Sequence, residues 1–518
     1  MAVPVGPRVD AAFPHMEINQ MRINTRIPGQ MTEEELASLA RLAATVPTGG
    51  RILELGSLFG LSSWTWAQNA STSVTVYCVD PWQRAPWIEA LERKFNVTFG
   101  LETFQRHTAD CPNIVALPGY SPMDLGDWNL PLDIYFDDSV HTNPIFRQNL
   151  RFWLRHVKPG GILCGHDYGP AFPDIVAEVQ ELAGELGTSP EVVGTFWVIH
   201  LPQDYSHPDG STSEPKPAPL AGAPLPLGTA PPLPDNVGTM MKQQELDLLF
   251  TLARDWYQGL GAIIDLGPFL GSSTLALAEG LTANAREFER FRRIFSFDRF
   301  WYEPNVGFDA FINKAHLSTE SFFSHYLHNI WHYIDMVYCS PGDLMNFTWN
   351  QNQDRVELLF IDAAQSWDLN DHIVKQFFGA LIPGTSIVVQ QDYYFYMCPW
   401  VIQTMEHFAP WLEYVGEAPG ASAYFQSKAA IPSIVLRTPV NTACSPVRRN
   451  QLMEEASGKR QGNLRSILEL ARATHLAFTD HRDLGQVIFN HEETLTPQKD
   501  GWTTALRWNK DKARRFFS

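Results

Sequence analysis

Short apolar runs recur along the chain, each closing on an acid, a glycine or both. The first part contains ILELG, VTVYCVD, IVALPG, LDIYFDD and GGILCGHD; the second contains AIIDLG, IFSFD, MVYCSPG, ELLFID and TSIVVQQD. Runs this short and this uninterrupted predict strands covered on both faces of a parallel sheet, since a sheet with one wet face would alternate. Helical spacing separates them. MTEEELASLARLA and MKQQELDLLFTLA place Leu36, Leu39 and Leu42, and then Leu246, Leu249 and Leu252, on one helix face. Alternating strands and helices predict an α/β protein of two tandem Rossmann-like, doubly wound domains. Each should have a mostly parallel central sheet flanked by helices, with ligands at the carboxyl ends of the strands.

The two parts repeat each other. The leucines above match at an offset of 210, and Glu54, Gly56 and Gly60 match Asp265, Gly267 and Gly271 at 211. YSPMDL then matches CSPGDL at 219, DIYFDDSVH matches ELLFIDAAQ at 224, and GHDYG matches QQDYY at 225. An offset that only grows predicts a duplicated unit whose second copy gained loop residues. Between the blocks runs PQDYSHPDGSTSEPKPAPLAGAPLPLGTAPPLP, too proline-rich to bury a core and expected to act as a semi-rigid spacer. The expected domains are residues 1–201, a linker at 202–235, a second domain at 236–430 and a helical extension at 431–518. Within the extension, IPSIVLRT reads as a last strand, and NLRSILELARATHLAF as a helix with Ile467, Leu468 and Ala471 on one face.

Composition narrows the class. With 39 Lys+Arg against 57 Asp+Glu, the 518-residue chain carries a net charge of −18, which argues against nucleic acid as a partner. The six cysteines form no CxxC pair, so neither a disulfide scaffold nor a cysteine-ligated zinc is expected. No basic-then-apolar leader opens the chain, and no stretch approaches the roughly 18–20 apolar residues a membrane span needs. A cytoplasmic protein, bound to no membrane, is the expectation. A repeated block is compatible with an intramolecular pseudo-dimer or a homo-oligomer.

The strongest chemical signal is ELGSLFGLSS at Glu54 to Ser63. A glycine straight after a buried strand lets the backbone turn and a ligand approach. The spacing is GxxxG, not the GxGxxG that makes room for a pyrophosphate, and no GKS or GKT cradles a triphosphate. A cationic amino-acid moiety fits near Glu54 and the turn, while the Asp80 carboxylate can accept two ribose hydroxyls. The plainer alternatives are strand–helix packing for the glycines and helix capping for the acids.

These residues resemble the class I S-adenosylmethionine-dependent methyltransferases, and most closely the subgroup with EIGS-x-x-G-x-S, D-x-x-H-x-Y and PGG-x-x-x-x-HD. The first block supplies Glu54, Gly56, Ser57, Gly60 and Ser62, then Asp138 and His141, then Gly160, Gly161, His166 and Asp167. The second supplies Asp265, Gly267, Gly271 and Ser273, then Asp362 with Gln365, then Gln391 and Asp392. The resemblance implies S-adenosyl-L-methionine held by Glu54, Gly56, Ser57, Gly60, Asp80 and Ser121. In the second block it implies Asp265, Gly267, Gly271, Asp298 and Ser340. It implies methyl transfer to an oxygen of a small-molecule acceptor, a saccharide or secondary metabolite. His141 or His166 would be the general base, and Asp138 and Asp167 would orient the acceptor or hold Mg2+. Glutamine cannot take a proton near neutral pH, so Gln365 and Gln391 point to the first copy as the active one. Pro268, after the first glycine of the second copy, stiffens a loop that must wrap the ligand. A non-catalytic cofactor-binding or scaffold protein is the alternative; a nicotinamide oxidoreductase would need the missing GxGxxG. Trp64, Trp66, Trp82 and Trp87 cluster near the expected pocket mouth, Trp64 and Trp66 reading as core residues. His481 and His491 match no metal-ligand spacing.

Overall fold

The computed structural model describes residues 21–84, 88–206, 226–302, 310–312, 320–351, 354–479 and 481–517. They fall into two compact units, one drawn from Met1–Glu214 and Pro432–Arg449, the other from Pro215–Ile431 and Asn450–Ser518. Trp87 and residues 207–225 of the proline-rich segment lie outside the described residues.

In the first unit the strands are β1 (Arg51–Leu55), β2 (Thr75–Asp80), β3 (Ile114–Pro118), β4 (Leu132–Asp137), β5 (Val157–Gly165), β6 (Glu191–Val193) and β7 (Phe196–His200). Their order across the sheet is β3-β2-β1-β4-β5-β7-β6. Strands β1 to β5 are mutually parallel; β7 runs antiparallel to β5, and β6 to β7. The helices are α1 (Glu33–Thr45), α2 (Leu61–Asn69), α3 (Ile88–Phe95), α4 (Leu101–His107), α5 (Ile145–Leu154) and α6 (Pro173–Glu185). Thr32 and Glu35 close a reciprocal capping box that starts α1, and Leu36, Leu39 and Leu42 are buried on its inner face. Ile52, Val76, Ile114, Ile134 and Cys164 form one sheet-face core with Trp66 and Phe104.

The second unit repeats this order as β10-β9-β8-β11-β12-β14-β13. Its strands are β8 (Ala262–Leu266), β9 (Ile294–Asp298), β10 (Val337–Pro341), β11 (Val356–Ile361), β12 (Ile387–Gln390), β13 (Leu412–Ala418) and β14 (Ser422–Ser427). Its helices include α7 (Gln243–Thr251), α8 (Ser272–Ala283), α9 (Phe323–Ile330), α10 (Trp367–Phe377) and α11 (Pro399–His407). The molecule is thus two α/β domains, each built on a seven-stranded, mostly parallel sheet.

Register corrects one detail of the repeat. Pro118 pairs with Asp80 and Pro341 with Asp298, so the third strands equate Pro118-Gly119 with Pro341-Gly342. Asp124-Leu125 then answers to Asp343-Leu344, which leaves Tyr120, Ser121, Pro122 and Met123 without counterparts in the second unit. Ser340 therefore sits inside β10 and is not the counterpart of Ser121.

Residues 431–518 divide. IPSIVLRT does not form a strand: Ser433–Arg437 is the short helix α12, followed by α13 (Val440–Ala443), both in the first unit. Proline precedes each helix, at Pro432 and Pro439, and the Ser433 N–H is held by Asp127, a partner far away in sequence. Then come α14 (Pro446–Gly458), α15 (Gly462–Ala477), α16 (Arg482–Thr494) and α17 (Thr503–Ala513). Ile467, Leu468 and Ala471 are buried where α15 meets α11, α16 and α17 in the second unit. Among the described residues, no helix is long and apolar enough to cross a membrane.

Candidate functional site

Four parallel strands of the first sheet finish on one line. Leu55 pairs with Val79 in β2 and with Asp137 in β4, and Asp137 pairs with Gly165 in β5. The ladder runs one residue further: Gly56 N–H donates to Val79 O (2.9 Å), Asp138 N–H to Leu55 O (2.9 Å), and His166 N–H to Asp137 O (3.1 Å). Gly56, Asp80, Asp138 and His166 thereby reach a common edge. The chain reverses its order across the sheet there, between β1 and β4, where open α/β sheets leave a crevice.

The turn after β1 is built around its glycines. Gly56 has φ +81°, and a Cβ there would stand 2.1 Å from Asp138 O. Gly60, φ +96°, starts α2. Leu58 and Trp82 also adopt left-handed φ, +47° and +42°, a costly conformation for large side chains. Asp80 offsets that cost by accepting both of their amides, Leu58 N at 3.0 Å and Trp82 N at 2.7 Å. The Trp82 indole donates to Leu58 O (3.1 Å) and so locks the two loops together. Burial raises the Asp80 carboxyl to about 6, against those two amide bonds. A carboxylate has about four acceptor positions, so two remain for ligand hydroxyls. Glu54 is fully buried on β1 and accepts from Ser57 Oγ (2.8 Å) and from the Ser63 hydroxyl. Burial raises its carboxyl and the surrounding serines oppose that rise.

The second unit copies the backbone closely. Gly267 (φ +85°), Gly271 (φ +99°), Phe269 (φ +50°) and Phe300 (φ +51°) stand where Gly56, Gly60, Leu58 and Trp82 do. Asp298 accepts Phe269 N (3.1 Å) and Phe300 N (2.7 Å). Asp265 accepts from Ser273 Oγ (3.0 Å) and Thr274 Oγ1 (2.5 Å). Burial raises Asp265 to about 6, against the hydrogen bonds from Thr274 and Ser273. A raised carboxyl favours the native state only while protonated. That contribution is complete below about pH 4 and is lost as pH climbs through 6. Asp265→Asn cannot ionise. Its stability relative to wild type should rise by up to about 3 kcal/mol between pH 4 and 7, read from urea midpoints of the second unit. A difference flat in pH would contradict this account.

The second constellation lies beyond β4 and β5. His141 Nε2 is 2.9 Å from Asp167 Oδ2, and His166 Nδ1 faces Asp167 Oδ1 (3.4 Å) and Asp138 Oδ1 (3.7 Å). Asp167 has φ +62°, which turns its carboxylate between the two imidazoles. On the far side of His166, Nε2 meets Thr195 Oγ1 (3.0 Å) and Glu35 Oε2 (3.4 Å). Glu35 also accepts the Thr195 amide (2.7 Å), the Thr195 hydroxyl (3.0 Å) and the Thr32 amide (2.8 Å). The Thr195 proton goes to Glu35, so its oxygen receives the proton on His166 Nε2.

Burial opposes charge on His166, yet Asp138 and Asp167 prevail and push its pKa up to about 11. His166 is 6% exposed, whereas the His141 side chain is 34% exposed. The Asp167 carboxylate beside it raises the His141 pKa against partial burial. Burial and both histidines act on Asp167, and the histidines hold it far below the usual carboxylate range. Asp138, His141 and Asp167 each offer one ligand atom, all within 4.8 Å of one another; among the described residues they are the group that fits a metal ion.

In the second unit, Gln365 Nε2 donates to Asp392 Oδ2 (2.9 Å), and Gln391 and Glu245 both meet the Ser422 hydroxyl (2.6 and 2.7 Å). The frame persists without imidazoles. Burial and the neighbouring Asp392 raise Asp362 well above the usual range.

Ser57 joins the buried acid, while the Ser121 hydroxyl turns to α5, donating to Asn149 Oδ1 and accepting from Trp153 Nε1, both at 2.9 Å. Trp66 is a core residue, and Trp64 pairs with Asp110. Sequence reasoning missed Glu35 and Thr195. Thr32-x-x-Glu35 carries a helix-start signature, but nothing local links Glu35 to β7.

Residues 53–168, from β1 to just past Asp167, match the family model described as a methyltransferase domain. No curated protein sequence matches the chain. Solved structures similar to it include the O-methyltransferase TomG from Streptomyces achromogenes involved in tomaymycin synthesis, in complex with SAM. The identity is 17%, over 35% of this chain and 91% of that one, with a TM-score of 0.26. The O-methyltransferase from Bacillus cereus in complex with SAH is 18% identical over 33% and 80%, TM-score 0.24. A methyltransferase from Geobacter sulfurreducens is 18% identical over 33% and 80%, TM-score 0.25.

Proposed function

We propose that the first unit is an S-adenosylmethionine-dependent methyltransferase that acts on a hydroxyl of a small molecule. The observation that carries this reading is convergence. A glycine turn, an acid with two open acceptor positions and a histidine–aspartate cluster meet at the ends of four adjacent strands, inside the segment matched by the methyltransferase model. The cofactor supplies an electrophilic methyl group. The chain's own residues do the rest: Gly56 and Gly60 let the backbone lie against it, and Asp80 accepts its ribose hydroxyls.

His141 is the better base. His166 already carries its proton at neutral pH, and its charge holds Asp138 and Asp167 in place. His141 Nε2 faces the Asp167 carboxylate at 2.9 Å, and its other nitrogen is the one assigned to receive the acceptor's proton. Asp138 and Asp167 orient the hydroxyl; these two carboxylates would hold a divalent cation, which would acidify that hydroxyl, while His141 is kept for the proton. The second unit is read as a cofactor-binding, non-catalytic copy arising by tandem duplication, since its cradle is intact while Gln365 and Gln391 replace the histidines.

Calorimetric titration with S-adenosylhomocysteine (SAH) tests this. Two independent sites are expected. Glu54→Ala should remove one of them and all methyl transfer; Asp265→Ala should remove the other and leave transfer intact. Absence of any binding would sink the reading.

A further inference from the structure

Pro432–Arg449 follows the second sheet in the chain but belongs to the first unit. It lies along the edge strand β3, where Cys444 forms an antiparallel bridge to Val115, and the Gln105 side chain donates to Thr442 O (2.7 Å). Its start is fastened at the carboxyl end of that strand. The Ser433 amide donates to Asp127 Oδ2 and Arg437 Nη2 pairs with Asp124 Oδ1, both at 2.7 Å. Ile434 Cδ1 stands 2.7 Å from where a Cβ would sit on Gly119, whose own amide donates to Asp80 O (3.2 Å).

Asp124 is the joint. Besides Arg437 it accepts the Tyr120 amide (2.8 Å), and the Tyr120 hydroxyl donates to Gln83 Oε1 (2.9 Å), close after Asp80. A line of bonds thus runs from Arg437 through Asp124 and Tyr120 to the loop that carries the ribose acid. The loop it braces, Tyr120 to Met123, has no counterpart in the second unit. In the second unit Asp343 caps Met345 N (3.0 Å) instead.

We propose that Pro432–Arg449 is a strap that positions the nucleoside end of the first unit's cofactor pocket, with Arg437 as a positioning residue acting through Asp124 and Tyr120. The proposal rests on the methyltransferase reading. Its ligand is the adenosine portion of the cofactor, placed between the Asp80 carboxylate and the Gly119–Ser121 backbone. The start of the strap, Ser433 to Arg437, meets Asp127, Asp124 and Gly119, which shape that end, so its loss weakens binding and spares the reacting end.

Amide hydrogen exchange on the full chain, with and without SAH, tests it. SAH should slow exchange at residues 54–60 and 80–82 and also at 119–124 and 433–444. Arg437→Ala should raise the KM for the cofactor and the Kd for SAH roughly two- to fivefold, the range a half-exposed ion pair supports, with kcat and Tm unchanged. Arg437→Lys should recover most of that loss. Slowing at 54–60 without slowing at 433–444, or an Arg437→Ala chain that binds SAH as tightly as wild type, overturns the strap alone. No slowing at 54–60 overturns the cofactor reading and the strap with it.

Discussion

Alanine at Gly56 is expected to abolish SAH binding to the first unit and to destabilise that unit by about 2–4 kcal/mol. Two penalties combine. A φ of +81° costs an L-residue about 1–2 kcal/mol, and the new methyl would lie 2.1 Å from Asp138 O. The obstacle is backbone, not a flexible side-chain tip. Relief therefore moves the Asp138 peptide, and with it the ladder bond to Leu55 that aligns the two strand ends. Gly49→Ala separates the penalties, because Gly49 has φ +77° but nothing within 4 Å of its added methyl. That variant should lose about 1 kcal/mol and bind SAH normally. Calorimetry and thermal melts on both read the answer, and wild-type affinity in Gly56→Ala would refute the proposed cradle.

Removing the imidazole at position 141 acts on rate instead. His141→Ala should slow methyl transfer by roughly 10²–10⁴-fold, the usual worth of a positioned general base, with SAH affinity within about twofold of wild type. His141 is on the open side of the cluster, its ring packed on Phe172, and it belongs to no ladder or core. Its removal should therefore leave the fold and the cradle alone. The measurement is SAH release in single turnovers, using whichever member of a panel of phenols and sugars the wild type methylates. Equal losses of rate and of SAH affinity would assign His141 a structural role and move the base elsewhere.

The five parallel strands of each sheet were legible because strands buried on both faces leave short unbroken apolar runs. β1, for example, is Arg51-Ile52-Leu53-Glu54-Leu55, with every residue after the arginine buried. The acids and glycines at their ends were legible for the same reason: a polar residue closing such a run has little else to do. What escaped depends on partners distant in sequence. Glu35 looks like an ordinary capping residue until β7 brings Thr195 to it. Ser433–Arg437 has strand-forming residues, yet Asp127 holds its first amide and Pro432 starts it as a helix. Trp82 reads only as a pocket-mouth residue until the fold brings Leu58 O to its indole N–H. His166 and His141 are equivalent as letters; only burial and the second aspartate set one apart as a fixed cation.

The bridge between Val115 and Cys444 also has a meaning in time. At roughly 5–20 residues per second, the ribosome takes on the order of 10–50 s to travel from the end of the first sheet to the residues that cover β3. Through that interval the nascent first unit presents an uncovered strand edge, the feature that recruits foreign strands. Its opposite edge, the three-residue β6, is too short to do so. Within the first unit that hazard of misassembly is confined to one side of the sheet, and it lasts until Cys444 has been made.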